Sequence, residues 1–204
     1  MATITLEQIK DLRKRTGVGI NHVKEALEES EGDIEKAILY LRKKGIAKAA
    51  KRSENSTNYG YIASYIHGDG QIGVIVEVNT ETDFAARNEK VREIAYDLAL
   101  HVAASDPQYT SVEDIPEEVI TREKEVFEKD LEGKPEGVAA KILEGKLQKF
   151  YEEVVLEEQV FLKDETKKVK DLINDTVAAI GEKIIIGRFA RIQIAGGASA
   201  CVGE

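Results

Sequence analysis

The sequence predicts an α+β protein: an N-terminal three-helix domain, a linker, and a core of a small antiparallel sheet covered by helices. Residues 1–45 carry apolar side chains at helical spacing, and glycines interrupt them. Residues 59–78 contain a run rich in tyrosine and isoleucine and a run rich in β-branched residues on either side of an Asp-Gly pair, which is typical of a hairpin. After several helical stretches, residues 183–194 form a third run, again rich in β-branched residues.

The N-terminal helices have recognisable boundary signals. Thr5 followed by Gln8 is a capping-box pattern at the start of the first helix. Two glycines in the stretch 16–20 separate it from a second helix. Asp33 is placed to cap a third helix, which Gly45 is predicted to end.

These signals predict the domain boundaries. We expect the three-helix domain to span residues 1–50. Residues 51–58 are polar and lack an apolar anchor, so they are predicted to form a linker that tethers this domain. The core is expected to span residues 59–195, and residues 196–204 are expected to form a flexible tail.

The core contains further helix signals. Pro116 is predicted to start a helix, and Gly145 to end or kink the next one. Thr166 is expected to cap the last helix. Between the hairpin and Pro116, an amphipathic helix is predicted by the apolar spacing of Val91, Ile94, Ala95, Leu98 and Val102.

Composition excludes several classes of protein. In 204 residues, 42% are hydrophobic and 33% are charged, which is typical of a globular protein with a real core. The apolar runs are far shorter than a membrane span, and no apolar targeting core begins the chain. We therefore expect a cytoplasmic protein with no membrane partner.

The sequence also argues against an enzyme. One cysteine and three histidines argue against a metal site built from these residues, and we expect no metal or cofactor. There is no Gly-rich phosphate loop and no Gly-x-Ser-x-Gly elbow. The many carboxylates fall on helix faces expected to be solvated.

Charge is unevenly distributed. Residues 1–52 hold 12 Lys and Arg against 8 Asp and Glu, although the whole chain has a net charge of −9. A basic head would permit nucleic-acid binding, but Tyr40 is its sole aromatic side chain and no stripe is exclusively basic. We expect no direct nucleic-acid contact.

The single cysteine, Cys201, has no intrachain partner. A free thiol is the expected state in a reducing cytoplasm. The alternative is a homodimer, in which the two thiols cross-link subunits that meet at a sheet face or edge.

The stretch 77–88 is the strongest functional candidate. A strand is predicted to end there and a helix to begin, with Phe84 at the junction. Phe84 could fill the core while Asp83 helps to cap the helix. Alternatively, Phe84 is held outward on a rigid corner and inserts into another protein. No catalytic group accompanies it, so the pattern favours mechanical action on a partner.

Two other stretches carry the same ambiguity. The glycines of 16–20 could simply turn the chain, or Val18 and Ile20 could be exposed apolar residues for a partner helix. The stretch 180–182 could be an ordinary helix end capped by Gly181, or an apolar contact.

Together these segments resemble a known family. The stretch 12–27 resembles the N-terminal signature of translation elongation factor Ts, and 77–88 resembles the family's second signature. Ala85 stands where the family usually has valine. The later stretches 148–151 and 180–191, with Gln159, are also similar. The match covers nearly the whole chain and corresponds to the short form of the family.

The resemblance implies a non-enzymatic guanine nucleotide exchange factor that binds elongation factor Tu, both GDP-bound and nucleotide-free. It also implies that the three-helix domain is similar to ubiquitin-associated (UBA-like) domains and grips the GTPase, while the corner at Phe84 enters between two of its helices. The alternative function is an adaptor whose UBA-like domain binds a helical or ubiquitin-like partner. The residues that the resemblance assigns to partner binding are Thr82, Asp83, Phe84, Ala85, Arg87, Ile180, Gly181, Val18, Gly19, Ile20 and Lys24.

Overall fold

A computed structural model describes residues 4–52, 54–128 and 134–194. The fold is of the predicted class: three N-terminal helices precede a small antiparallel sheet with helices. Within these residues, no helix is long and apolar enough to cross a membrane. The expected tail and Cys201 lie outside the described residues, so the thiol and dimer alternatives stay predictions.

The described residues contain eight α-helices and five strands. The helices are α1 (Leu6–Thr16), α2 (Ile20–Glu29), α3 (Ile34–Lys51), α4 (Asp83–Ala86), α5 (Glu89–Ser105), α6 (Glu117–Glu128), α7 (Glu136–Val154) and α8 (Val169–Ile180). The strands are β1 (Tyr59–His67), β2 (Ile72–Thr80), β3 (Val160–Phe161), β4 (Asp164–Lys168) and β5 (Ile184–Gln193).

The N-terminal helices enclose an apolar core of their own. Thr5 caps α1 in a complete capping box with Gln8, as predicted. Gly17 ends α1 in the left-handed conformation, with φ of 67°. The side chains buried in this core are Ile9, Leu12, Val18, Val23, Ala26, Leu27, Ala37 and Leu41.

The predicted end of α3 at Gly45 is wrong, because the helix continues to Lys51. Gly45 serves a close helix crossing instead. A Cβ atom at this position would lie 2.6 Å from the Cβ of Ala178 on α8. Arg42 of α3 also forms an ion pair with Asp171 of α8. The three-helix region is therefore packed against α8 and is not merely tethered, although its exact boundaries stay a prediction.

The hairpin turn is confirmed at the Asp-Gly pair. Gly68, Asp69 and Gly70 all have positive φ, at 60°, 51° and 87°. The backbone N–H of Gln71 closes the turn on the carbonyl oxygen of His67 at 3.0 Å. Positive φ at successive positions explains why glycines flank the aspartate.

The strands β1, β2 and β5 form one sheet in that order. Along β2, Val74, Val76 and Val78 are buried while Ile75 between them is exposed. This alternation shows that one face of the strand is covered and the other is open. All five apolar positions predicted to form the inner stripe of α5 are buried.

Two predicted helix boundaries in the second half are wrong. Helix α7 runs through Gly145, where a Cβ atom would have open space, so Gly145 does not end the helix; the alternative of a kink there stays a prediction. Thr166 does not cap α8, because it lies inside β4 and bonds to Asp164. The pattern missed the β3–β4 hairpin since β3 has only two residues, which is too short to show alternation.

The described residues divide into two compact units, and the division passes through several strands and helices. The first unit comprises residues 4–63, 77–96 and 171–187. The second comprises residues 64–76, 97–170 and 188–194. The predicted partner-binding residues all belong to the first unit.

A buried histidine organises part of the second unit. The N–H of Leu162 donates to His101 Nδ1 at 3.3 Å, and His101 Nε2 lies 3.0 Å from Gln159 Oε1. Burial lowers the pKa of His101, although the hydrogen bond to Gln159 opposes this. Each ring nitrogen of the neutral imidazole thus has a hydrogen-bond partner.

Burial also shifts the pKa of Glu157 in the same unit, in this case upward. Burial is the main reason why its pKa is raised to about 7, and the negative charges of Glu113, Asp114 and Glu158 add to it. Because folding raises this pKa, the contribution of Glu157 to the free energy of unfolding is fully present below the pKa of the unfolded chain. It is lost as pH rises through about 7.

We therefore predict that Glu157→Gln stabilises the protein more at pH 8 than at pH 5. At pH 8 the wild-type carboxylate must be ionised among like charges, whereas the amide stays neutral. The gain in unfolding free energy should differ between the two pH values by about 1 kcal/mol or more, measured by urea unfolding. The exposed control Glu125→Gln should give the same change at both pH values. Equal effects of Glu157→Gln at pH 5 and pH 8 would contradict the prediction.

Candidate protein-binding site

The corner between β2 and α4 presents the predicted aromatic residue. Thr82 is the N-cap of α4, and its hydroxyl accepts a hydrogen bond from the N–H of Ala85 at 3.2 Å. Asp83 is therefore not the capping residue; it is the first residue of the helix, where a carboxylate suits the helix dipole. Asp83 also pairs with Arg87 at 3.1 Å on the exposed surface.

Phe84 points into solvent, with 81% of its surface exposed. The alternative in which Phe84 fills the core is therefore wrong. Ala85 and Ala86 are buried and occupy the inward positions of this single helical turn. Because the small residues anchor the turn, the aromatic ring is held outward by the backbone.

A second predicted segment lies beside this corner. The hydroxyl of Thr82 donates to the carboxylate of Glu182, with oxygen–oxygen distances of 3.0 and 2.9 Å. Gly181 has φ of 87°, and its N–H bonds to the carbonyl oxygen of Val177 at 2.8 Å. Gly181 thus ends α8 as a left-handed cap, and Ile180, half-buried, precedes it. The role of Ile180 and Gly181 in partner contact stays a prediction.

Glu81 joins three segments of chain at the base of the corner. Arg52 Nη1 donates to both of its carboxylate oxygens, at 2.8 and 2.9 Å. Asn55 Nδ2 donates to Oε2 at 3.0 Å, and the backbone N–H of Lys183 donates to Oε1. The expected linker is therefore bonded at residues 52 and 55, without any apolar anchor.

These contacts also set the protonation of Glu81. Burial alone would raise the pKa of its carboxyl group, but the hydrogen bonds from the Lys183 N–H and from Arg52 outweigh burial, so the pKa lies below the ordinary value. The carboxylate is ionised at neutral pH. Its contribution to stability is present above the unfolded pKa and is lost as pH falls through the lowered folded value.

The N-terminal candidates behave differently from one another. Val18 is only 4% exposed and belongs to the three-helix core, so the expectation that it is an exposed contact is wrong. Gly19 is the N-cap of α2, while Ile20 and Lys24 are exposed on that helix. The available surface is thus that of Ile20 and Lys24, which we call the α2 surface.

The turn before the α2 surface adjoins the start of α5. A Cβ atom at Gly17 would lie 1.5 Å from the Nζ atom of Lys90, so the lysine side chain covers this glycine. The ammonium group lies at the C-terminal end of α1, where positive charge is favourable. The structure thus brings the corner and residues 180–182 together, and it places the α2 surface as a separate patch in the same unit.

Sequence reasoning missed the residues that position the corner. Glu81 is part of the stretch 77–88, but nothing in that pattern indicates its partners. Arg52 and Asn55 were assigned to an unanchored linker. A signal existed only in the unlike charges of residues 52 and 81, and their pairing depends on tertiary structure.

The arrangement makes the corner a candidate protein-binding site. An exposed aromatic ring stands on a capped corner whose supporting hydrogen bonds are satisfied within the chain. Across the described ranges, no group of three or more His, Cys, Asp or Glu side chains could hold a metal ion. The exposed ring and its fixed support therefore define a candidate docking element.

Comparison with known proteins identifies the family. A family model described as "Elongation factor TS" matches residues 5–176. A protein of Thermotoga neapolitana named "Elongation factor Ts" is 51% identical over 191 residues, which cover 94% of this chain and 97% of that protein. Proteins of the same name from Syntrophomonas wolfei and Moorella thermoacetica are 51% and 50% identical over 196 residues, covering 95% of this chain and 92% and 97% of theirs. The chain belongs to the elongation factor Ts family, a family of translation elongation factors.

The left-handed cap at Gly181 leads to a stability prediction. Gly181→Val should destabilise the protein by about 1–2 kcal/mol, because a β-branched residue is strained at positive φ. Gly181→Asn should cost less, since asparagine tolerates this conformation. Urea unfolding of both variants measures the difference. Equal losses for valine and asparagine would show that φ is not what selects glycine here.

Proposed function

We propose that this chain is a guanine nucleotide exchange factor that binds elongation factor Tu in its GDP-bound form and promotes GDP release. It acts in the cytoplasm during the elongation phase of translation, by binding alone, without a covalent step. The family supports a role in elongation, and the exposure of Phe84 is the observation that carries the proposed mechanism. In this mechanism Phe84 enters between two helices of the GTPase.

The rigidity of the corner supports insertion. Thr82 caps α4 and also bonds to Glu182, while Ala85 anchors the turn from inside. A side chain already held in position loses little freedom when a partner closes around it, so less of the binding free energy is offset by ordering. Because several hydrogen bonds fix its conformation, the corner can displace elements of a partner without changing shape itself.

The energy available from one aromatic ring is of the required size. An aromatic side chain buries roughly 150–250 Å² when it is enclosed. At about 25 cal/mol per Å², this corresponds to an upper limit near 4–6 kcal/mol. Weakening GDP binding about 1,000-fold requires about 4 kcal/mol of differential binding. Phe84 with its neighbouring contacts is therefore sufficient for substantial exchange.

The direction of the effect follows from where GDP is held. The GDP phosphates and Mg²⁺ are coordinated by loops of the GTPase. A side chain that displaces these loops therefore weakens the binding of GDP without touching the guanine. Because coupling between two ligands is reciprocal, the factor binds nucleotide-free GTPase tightly and nucleotide in turn displaces the factor. The cycle closes without consuming the exchange factor.

The UBA-like helices add affinity in this proposal. The α2 surface offers Ile20 as an exposed apolar residue and Lys24 as a positive charge. A second contact raises the effective concentration of the corner at the GTPase. Residues Ile180 and Gly181 are proposed as a third contact, since Glu182 lies directly against the corner.

The proposal predicts that Phe84→Ala slows stimulated GDP release strongly while the melting temperature barely changes. Removing an interface anchor typically costs about 2 kcal/mol or more, which corresponds to roughly 30-fold in exchange efficiency. Little stability is lost because the ring is exposed in the free chain. The measurement is the release of a fluorescent GDP analogue from elongation factor Tu at a series of chain concentrations, together with thermal unfolding of each variant.

Val126→Ala is the matched control, because Val126 is also exposed, at 57%, and lies on α6 in the second unit. It should leave exchange unchanged. Wild-type rates with Phe84→Ala would overturn the wedge mechanism. A wild-type chain that has no effect on GDP release would overturn the exchange function and favour the adaptor alternative.

A further inference from the structure

The Glu81 cluster connects the three-helix region to the corner. It consists of Glu81, Arg52, Asn55 and Lys183, all in the first unit. Besides the bonds to the Glu81 carboxylate, Lys183 Nζ donates to the backbone carbonyl oxygen of Asn55 at 2.9 Å. Segments 29 and 102 residues away in sequence are thereby bonded to a side chain that lies three positions before Phe84.

The acceptor capacity of Glu81 is fully used. Oε1 accepts from Arg52 and from the Lys183 N–H, and Oε2 accepts from Arg52 and Asn55. A carboxylate has about four acceptor positions, and four hydrogen bonds occupy them. The side chain of Glu81 is only 16% exposed, so these bonds are sheltered from water. Glutamine cannot replace it, because an amide NH₂ would face two donors.

Helix α3 connects the Glu81 cluster to the helices that carry the α2 surface. Arg52 directly follows Lys51, the last residue of α3. The same helix contributes Ala37 and Leu41 to the three-helix core, against which α2 packs. The direction in which α3 ends is therefore linked to the position of Ile20 and Lys24.

We propose that Glu81 is a positioning residue that fixes the spacing between the α2 surface and Phe84, so that both contact the GTPase at once. This inference rests on the proposed exchange function. The gain is pre-organisation: when one patch is bound, a fixed spacing keeps the other at high effective concentration. Glu81 need not touch the GTPase to have this effect.

The first test separates positioning from general stability. Glu81→Gln in the full chain should raise the concentration for half-maximal GDP release about 10-fold, within the usual range of coupling between sites. The maximal rate at saturation should stay within about 2-fold, because Phe84 is still present. Concentrations are counted as folded chain, with the folded fraction of each variant taken from its unfolding curve, because loss of folded protein alone would also raise the apparent half-maximal concentration. A half-maximal concentration equal to that of the wild type after this correction would show a merely structural role and overturn the proposal.

The second test asks whether Glu81 acts through the α2 surface. In a chain carrying Ile20→Ala and Lys24→Ala, which removes that contact, adding Glu81→Gln should raise the half-maximal concentration by less than about 2-fold. A further increase of about 10-fold, as in the wild-type background, would mean that Glu81 acts elsewhere and would overturn the proposal. Glu125→Gln, which removes a charge from the exposed face of α6, is the matched control and should change neither quantity.

A third measurement examines the free chain. The N–H of Asn55 bonds to the carbonyl oxygen of Arg52 at 3.0 Å, inside the segment that Glu81 holds. Its hydrogen exchange should become about 5-fold or more faster in Glu81→Gln, and an unchanged rate would overturn the positioning role. Failure of the two ideas is distinguishable. If the wild-type chain has no effect on GDP release, the exchange function itself is wrong. If the wild-type chain promotes GDP release but Glu81→Gln has the same effect with and without the α2 surface, only this inference is wrong.

Discussion

Two consecutive side chains, Glu81 and Thr82, hold an aromatic ring in water against its tendency to be buried. Enclosing Phe84 in the chain's own core would remove apolar surface from water and stabilise the fold, so its exposure must be imposed by the backbone. Thr82 fixes the first turn of α4 and is bonded to Glu182, while Glu81 bonds the end of α3 and the backbone after α8. With Ala85 facing inward, the adjacent ring has no route to the core.

The same polar contacts make the site dependent on charge. Glu81 is ionised well below neutral pH because its hydrogen bonds lower the pKa of the carboxyl group against the effect of burial. The corner is consequently held at neutral pH and weakens on acidification. Glu157 in the second unit has the opposite effect: its pKa is raised to about 7 mainly by burial, so it lowers stability as pH rises. Stability is thus shaped by different carboxylates at the two ends of the pH range.

Local patterns predicted the parts of the fold that local physics decides. The apolar spacing of α5 and the Asp-Gly turn before β2 were both correct, because periodicity and turn chemistry act over a few residues. The pattern predicts that Gly45 ends its helix and that Gly145 ends or kinks its helix, yet the chain stays helical at both. At Gly45 the reason is the approach of Ala178, a contact that sequence cannot show.

The candidate site was predictable only in part. Phe84 could be located from its position after a strand, but burial and exposure fitted the pattern equally well, and tertiary structure decided between them. Val18 was misjudged because a surface turn and a core residue share the same sequence neighbourhood. The most direct measurement is the structure of this chain bound to nucleotide-free elongation factor Tu. The account predicts that Phe84, 81% exposed when free, becomes almost fully buried between two helices of the GTPase. A complex in which Phe84 remains exposed would contradict it.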